Sequence, residues 1–277
     1  DLHLSIRRQR QMCIRDSSSP GIYLEQTSVT KNQAEVQTHI EIANDHPYGI
    51  AEVRAQVEVL TQEGAVVIVA KSDAIKMAPK SGQRITIPIT IQNPRLWNGR
   101  QDPFMYRARI CIFHGERCTD VLEPPLGLRY FTVDPNRGFI LNGQPYDLYG
   151  VALHQDRADK GWAINDVDRQ EDVALATEVG AHIVRLVHYP HAPATLNLLN
   201  KAGLIAWSEI PIAYRLGKMP AFQDNTRAML TERILQLYNH PSICFWGLFN
   251  ELAGNRDEPL ALIQDLHNLA KVLDPQR

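Results

Sequence analysis

The first half of the chain alternates apolar and polar residues with a period of two. From about residue 22 to residue 133 the clearest runs are Val36–Ile42, Ala51–Val59, Ile85–Ile91 and Tyr106–Ile112. Such alternation buries one face of a strand and exposes the other, as in an antiparallel sheet. Seven or eight such strands, separated by turn residues, predict an immunoglobulin-like β-sandwich. Within it, Pro88 predicts that its strand lies at a sheet edge.

After Asp134–Gly138 the pattern changes to short apolar runs that alternate with amphipathic segments. It predicts strands near Leu148–Leu153, His182–His188, Leu204–Ile210 and Ile243–Phe249, and helices near Asp166–Val179, Ala192–Ala202, Phe222–Tyr238 and Pro259–Leu273. Repeated βα units predict a parallel sheet. Four units are the first half of a TIM (β/α)₈ barrel, which would leave sheet edges unpaired, so we expect a truncated gene product. A four-unit doubly wound sheet is the alternative.

These patterns divide the chain into three parts. Residues 20–133 are predicted to form the sandwich, and residues 134–277 the N-terminal half of a TIM-barrel domain. Residues 1–19 contain four arginines and show neither the strand nor the helix periodicity. They also lack the apolar core of a secretory signal. They resemble a translated sequencing adapter, with a disordered basic arm as the alternative, and we expect no regular structure there.

The net charge and the lengths of the apolar runs argue against nucleic acid and membranes as partners. Lys and Arg total 29 against 31 for Asp and Glu, so the net charge of −2 gives no attraction to nucleic acid or to an anionic bilayer. No apolar run is long enough to span a membrane. The four cysteines form no CxxC pair. A two-residue turn at Gly115-Glu116 would place Phe113 opposite Cys118, which disfavours a Cys111–Cys118 disulfide without excluding it.

Polar side chains follow each predicted strand of the second region. In chain order they are His154, then Arg185 and His188, then Glu209, then Asn250 and Glu251. In a barrel of this type, functional residues gather at the C-terminal ends of the strands, so we expect these side chains to share one rim. By contrast, Asn239–Ser242 precedes the fourth strand on the opposite face, and we interpret it as a helix stop and turn.

Several short motifs occur in a fixed order in the second region. They are Phe139-Ile-Leu-Asn-Gly143, Gly150-x-x-x-His154-Gln-Asp156, Lys160-Gly-Trp-Ala163, Arg185-Leu-x-His188-Tyr-Pro190, Trp207-x-Glu209-Ile-Pro211 and Asn239-His-Pro-Ser-Ile243 followed by Trp246-x-x-x-Asn250-Glu251. This series resembles glycoside hydrolase family 2, and within it most closely bacterial β-galactosidases. The resemblance extends into the sandwich through Asn93-Pro94-x-Leu96-Trp97. β-Glucuronidases and β-mannosidases share most of these motifs and are alternatives.

The resemblance implies a retaining β-glycosidase that hydrolyses terminal β-galactosides by double displacement. Such chemistry needs two carboxyl groups, an acid/base and a nucleophile. The Asn-Glu pair implies that Glu251 is the acid/base and that Asn250 holds the sugar 2-hydroxyl. The nucleophile would lie on a seventh barrel strand, and the family's N-terminal jelly roll would precede the sandwich. Both are absent from this sequence, so the fragment itself is expected to be inactive.

The same resemblance implies further substrate-binding residues at this rim. His154 and His188 would line the −1 subsite, Arg185 would support the nucleophile, and Glu209 would lie beside them. Read without the resemblance, Arg185 could instead bridge carboxylates within the barrel, and Glu209 could be a structural ion-pair partner.

No metal or cofactor is predicted, because Ile210–Arg215 lacks the Glu-x-His magnesium ligands of some β-galactosidases. The predicted partner is a carbohydrate, with homo-oligomer formation of the full-length enzyme and its cellular location left open. A second hypothesis is a non-catalytic sugar-binding or assembly module with a degenerate barrel.

Overall fold

The computed structural model describes residues 12–14, 20–214, 216–217, 220–252 and 257–277. Its strands are β1 (Met12–Ile14), β2 (Ile22–Val29), β3 (Gln33–Asn44), β4 (Ala51–Leu60), β5 (Val66–Lys71), β6 (Ile75–Met77), β7 (Ser81–Gln92), β8 (Trp97–Asn98), β9 (Asp102–Pro103), β10 (Tyr106–His114), β11 (Arg117–Leu122), β12 (Pro125–Leu126), β13 (Phe131–Asp134), β14 (Gly138–Leu141), β15 (Gln144–Pro145), β16 (Gly150–Leu153), β17 (Ile183–Leu186), β18 (Ile205–Glu209) and β19 (Ile243–Gly247). The α-helices are α1 (Asp166–Glu178), α2 (Pro193–Ala202), α3 (Pro220–Leu237) and α4 (Asp257–Leu273), and a 3₁₀ turn spans Gly99–Gln101.

The chain folds into two compact units. The first comprises Asp1–Arg95 and Met105–Leu128, and the second comprises Leu96–Phe104 and Arg129–Arg277. No helix in the described ranges is long and apolar enough to cross a membrane.

The first unit is a sandwich of two antiparallel sheets. In one sheet β3 lies between β2 and β7, and in the other the order is β11-β10-β4-β5, with β6 beside β4 and β12 beside β10. Every second residue of β3 and β4 is buried, which confirms the period-two interpretation and the immunoglobulin-like sandwich. Pro88 lies in β7, opposite Gln37 of β3. Among the described strands, β7 pairs only with β3. The edge position predicted from Pro88 is therefore confirmed.

The hairpin between β10 and β11 has the predicted register. Phe113 lies opposite Cys118, and His114 lies opposite Arg117 across the Gly115-Glu116 turn. Cys111, Cys118 and Cys244 all carry free thiols.

Within residues 1–19, Met12–Ile14 form the strand β1, although the sequence there has no strand periodicity. These three residues pair antiparallel with Ile42–Asn44 at the end of β3. The pairing of β2 with β3 starts at Ile22 opposite Ile40, so it leaves this edge of β3 open for β1. The remainder of residues 1–19 lies outside the described part of the chain.

The division into units also differs from the predicted boundary at residue 134. Trp97, expected in the sandwich, is fully buried in the second unit and donates from Nε1 to the carbonyl of Asn200, 2.8 Å away. Asn142 donates to the carbonyl of Trp97 at 3.1 Å. The second unit resumes at Arg129, which is buried and donates to the carbonyls of Pro241 and Ile243. These long-range hydrogen bonds, which a local pattern does not reveal, account for the difference.

The second unit is built on a four-stranded parallel sheet. Its order is β16-β17-β18-β19, with α1, α2 and α3 connecting consecutive strands and α4 following β19. A doubly wound sheet reverses its strand order at a switch point. Because this order is sequential, it favours the barrel interpretation. A small antiparallel sheet, β13-β14-β15, precedes these strands.

Local sequence explains where the first two helices begin and end. The Asn165 side chain accepts from the backbone N–H of Asp168, and the Asp168 carboxylate accepts in return from the Asn165 N–H, which forms a capping box at the start of α1. Helix α2 begins at Pro193 and stops at Gly203, which has φ of +70°. A Cβ at Gly203 would also lie 2.2 Å from the carbonyl oxygen of Gly99, so only glycine fits.

Candidate active site

Glu209 is the buried centre of the polar residues at the C-terminal ends of the parallel strands. It is the last residue of β18, and its side chain is 1% exposed. Its Oε1 accepts from Arg185 Nε at 2.6 Å, and its Oε2 accepts from His188 Nδ1 at 3.0 Å. A buried carboxylate requires such donors to offset its lost hydration. Because the side chain is closed off from a bound sugar by this burial, Glu209 is unsuited to act as a nucleophile.

Arg185 connects Glu209 to Asn250. Its Nη2 donates to Asn250 Oδ1 at 2.9 Å, and its guanidinium lies over the Trp207 ring, 5.8 Å from the centroid. The bond to Oδ1 fixes the orientation of the Asn250 amide, so Nδ2 is left as the donor for a ligand. A group that donates toward a sugar hydroxyl is what the Asn-Glu motif implies for this position.

His154 is held by a tyrosine from the next strand's loop. Tyr189 Oη accepts from the backbone N–H of Gln155 at 3.0 Å and lies 3.3 Å from His154 Nδ1. A phenol oxygen can accept a second hydrogen bond, so the 3.3 Å contact is compatible with either tautomer of His154. The rings of His154 and His188 are 5.6 Å apart in an edge-to-face arrangement.

Glu251 follows Asn250 on a loop whose backbone is bonded to the loop after β18. The Asn250 N–H donates to the Ile212 carbonyl at 2.8 Å, and the Tyr214 N–H donates to the Asn250 carbonyl at 3.2 Å. Glu251 has φ of +48°, and its side chain is exposed. Within the described ranges its carboxyl group has no hydrogen-bond partner, as suits a group that must exchange protons with substrate and water.

Glycine at position 247 keeps this rim open. A Cβ there would lie 2.4 Å from Trp207 Nε1 and 2.5 Å from Glu209 Cγ. Any side chain at Gly247 would therefore displace the carboxylate that holds Arg185 and His188.

The structure thus brings most of the predicted site residues into one set of contacts. Hydrogen bonds and ring contacts connect five of the six, namely Asn250, Arg185, Glu209, His188 and His154, and Glu251 lies on the adjoining loop. Arg185 bridges the Glu209 carboxylate to the Asn250 amide, not two carboxylates. The site prediction did not include Tyr189, whose position directly after His188 was the available signal. Within the described residues, no cluster of three or more His, Cys, Asp or Glu side chains could hold a metal ion.

Two family descriptions match the chain. The TIM barrel domain of glycosyl hydrolases family 2 matches residues 133–277, and a second domain described as glycosyl hydrolases family 2 matches residues 22–129. The chain belongs to glycoside hydrolase family 2. The fold class and the family resemblance drawn from the motifs are both confirmed.

Relatives within the family include enzymes of two specificities. A β-glucuronidase of Bacteroides fragilis is 40% identical over 284 residues, which cover 100% of this chain and 40% of the relative. The β-galactosidase BoGH2A of Bacteroides ovatus is 28% identical and matches 84% of this chain and 28% of its own length. This family 2 chain therefore spans about 40% or less of the length of these curated relatives.

Solved structures of family 2 enzymes superimpose closely. The crystal structure of a putative β-galactosidase from Bacteroides fragilis has a TM-score of 0.91 at 34% identity, over 96% of this chain and 39% of that one. A Bacteroides uniformis β-glucuronidase 2, covalently bound to cyclophellitol-6-carboxylate aziridine, has a TM-score of 0.90 at 29% identity, over 96% of this chain and 34% of that one.

Proposed function

We propose that this chain carries the acid/base half of the active site of a retaining β-glycosidase, with Glu251 as the acid/base residue. The carboxyl group of Glu251 would first protonate the glycosidic oxygen while a second carboxylate attacks the anomeric carbon. It would then remove a proton from the water that hydrolyses the glycosyl-enzyme. The family resemblance assigns the second carboxylate to a seventh barrel strand, beyond the four strands of this chain.

The observation that supports this proposal best is the Glu209–Arg185–Asn250 chain of contacts. It fixes the Asn250 amide beside Glu251 with its Nδ2 group available as a donor. A donor held in place before substrate binds can strengthen its bond to the sugar 2-hydroxyl as charge develops at the anomeric carbon. The covalent adduct of the Bacteroides uniformis relative supports a double-displacement mechanism within the family.

For the substrate, the relatives favour a β-glucuronide over the β-galactoside that the motifs favoured. The relative with 40% identity is a β-glucuronidase, whereas the β-galactosidase BoGH2A is 28% identical. The two glycones differ at C-4 and at C-6, where one carries a carboxylate and the other a hydroxymethyl group. We therefore propose β-glucuronides as the first substrate class and β-galactosides as the second.

The test uses the complete gene product with p-nitrophenyl β-glucuronide, p-nitrophenyl β-galactoside and the matching methyl glycosides. Glu251→Gln cannot donate or accept the proton, so hydrolysis of the methyl glycoside should fall on the order of 10²–10⁴-fold. The p-nitrophenyl substrate needs little protonation, so its first step should survive better. Added azide should then restore turnover and give a β-configured glycosyl azide.

Glu178→Gln is the matched control, since it removes an exposed carboxylate from α1 in the same unit. It should leave turnover of every substrate unchanged. Equal losses for both leaving groups in Glu251→Gln, without azide rescue, would remove Glu251 from the acid/base role. No turnover of any of these glycosides by the unaltered protein would favour the non-catalytic module.

A further inference from the structure

Trp162 is an exposed aromatic side chain at the edge of the site, to which the mechanism above gives no role. It is 68% exposed. Its ring contacts Tyr189, with centroids 4.9 Å apart and planes tilted by 34°. Tyr189 therefore covers part of the indole, and most of the ring remains open.

The loop that carries Trp162 is held rigidly. Arg157 and Gly161 exchange backbone hydrogen bonds of 3.0 and 2.9 Å, which close the turn just before Trp162. The Arg157 guanidinium pairs with Asp172 at 2.6 Å, and Lys160 pairs with Asp168 at 2.7 Å, which fastens the turn to α1. Because this loop is already ordered, its exposed ring loses little conformational entropy when it binds a ligand.

Ring contacts connect Trp162 to the polar centre. Tyr189 contacts His154, His154 contacts His188, and His188 donates to Glu209. Trp162 is thus the outer end of a continuous series of rings that starts at the buried carboxylate. These rings belong to the loops after β16 and β17.

The sheet order separates these rings from the acid/base residue. Glu251 follows β19, and β16 lies three strand positions away, about 14 Å at the usual strand spacing. Because the acid/base residue meets the glycosidic oxygen, the leaving group lies on the β19 side. The β16 side therefore faces the part of the substrate remote from the bond that breaks.

We infer that Trp162 and Tyr189 form a stacking platform for the glycone, and that Trp162 is a substrate-binding residue. Its open indole face packs against the C–H groups along the edge of the sugar that is remote from the glycosidic bond. This inference rests on the proposed glycosidase function. A contact so far from the reacting atoms stabilises the bound substrate and the transition state equally. It therefore affects substrate binding and leaves the rate of the chemical step unchanged.

The experiment compares Trp162→Ala, Trp162→Phe and Tyr149→Ala in the complete gene product. Tyr149 is a matched control, because it is 67% exposed and also contacts a ring, that of His182, but precedes β16 at the opposite end of the strand. KM and kcat are measured with p-nitrophenyl β-glucuronide and β-galactoside. Calorimetric titration with glucaro-1,4-lactone and galactono-1,4-lactone measures binding of ligands that have no leaving group.

We expect Trp162→Ala to raise KM for the better substrate, and Kd for its lactone, by about 3- to 10-fold, the size of one aromatic contact. Its kcat should stay within about twofold of the unaltered protein. Trp162→Phe should restore most of the binding, and Tyr149→Ala should resemble the unaltered protein in KM, Kd and melting temperature.

Unchanged KM and Kd in Trp162→Ala would overturn the inference, as would a loss accompanied by a lower melting temperature that phenylalanine does not restore. If neither glycoside is hydrolysed, the proposed function fails, but the titrations still decide the platform. Weaker lactone binding by Trp162→Ala would support it, and no lactone binding by the unaltered protein would overturn it.

Discussion

The two ends of the parallel sheet contain the same residue types in different surroundings. The C-terminal rim has Arg185, His188 and Asn250, and the N-terminal end has Arg129, His240 and Asn200. At the rim, the Arg185 and His188 side chains are 37% and 29% exposed, and they surround a carboxylate.

At the N-terminal end the corresponding groups are each 6% exposed or less. Arg129 is 2% exposed and donates to the carbonyls of Pro241 and Ile243, which joins the segment just before β13 to the start of β19. Asn200 Oδ1 accepts from the Ser242 N–H, so its Nδ2 donates to His240 Nδ1 at 2.9 Å and that nitrogen carries no proton. These contacts agree with our interpretation of Asn239–Ser242 as structural.

Residue type alone therefore does not separate a functional cluster from a structural one. At the rim, Asn250 Nδ2 and His154 Nε2 have no hydrogen-bond partner among the described residues. At the N-terminal end the hydrogen-bond partners described for the same groups lie within the protein. The following predictions test this contrast, in order of decreasing expected effect.

Glu209→Gln should abolish most activity. An amide offers one acceptor oxygen and one N–H₂ group, so either Arg185 Nε or His188 Nδ1 would face a donor. The Asn250 amide would then lose its fixed orientation. A displacement of about 1 Å in an active-site group costs about 10²-fold in rate. Steady-state kcat/KM on the correctly folded variant measures this loss. A variant that keeps more than half of the original kcat/KM would show that the Glu209 contacts are structural only.

Arg129→Met should lower stability and spare activity. The substitution leaves the Pro241 and Ile243 carbonyls without these donors in a buried site, at a cost of about 2 kcal/mol. Differential scanning calorimetry should show a lower melting temperature for the barrel unit, with kcat unchanged at temperatures where the variant is folded. Loss of kcat in the folded variant would contradict a purely structural role for this end of the sheet.

Stability should also fall with pH because of His240. Burial, with smaller contributions from Arg277 and Arg233, lowers the pKa of His240 from 6.5 to about 4. Between these values the unfolded state binds a proton that the folded state does not, so stability is complete above pH 6.5 and is lost as the pH falls toward 4. From pH 7.5 to pH 5.5 the loss should be about 1 kcal/mol.

Urea denaturation of the unaltered protein and of His240→Asn at these two pH values measures the effect. Burial also lowers the pKa of His191 to about 4, so His240→Asn should reduce the pH dependence without abolishing it. An unchanged pH dependence in the variant would show that His240 is already protonated in the folded protein.

The sequence predicted the fold and the identity of the site residues better than it predicted the contacts between those residues. Alternation predicts the long strands β3, β4 and β7, and the repeat of strand and helix predicts the rim, because both are local signals. The contact of Arg185 with Asn250, 65 residues apart, depends on packing that no local pattern encodes. The same is true of Trp97 with Asn200, 103 residues apart, which is why Leu96–Phe104 belongs to the second unit although it lies within the sandwich sequence.

The most direct test of the contrast between the two ends compares His188→Asn with His240→Asn. For each variant, kcat/KM with the better p-nitrophenyl glycoside and the melting temperature are measured on the same preparation. We expect His188→Asn to lose at least tenfold in kcat/KM, as for a misplaced active-site group, with little change in melting temperature. His240→Asn should lower the melting temperature and keep kcat/KM. If His240→Asn loses as much kcat/KM as His188→Asn while still folded, the division into a functional and a structural end is wrong.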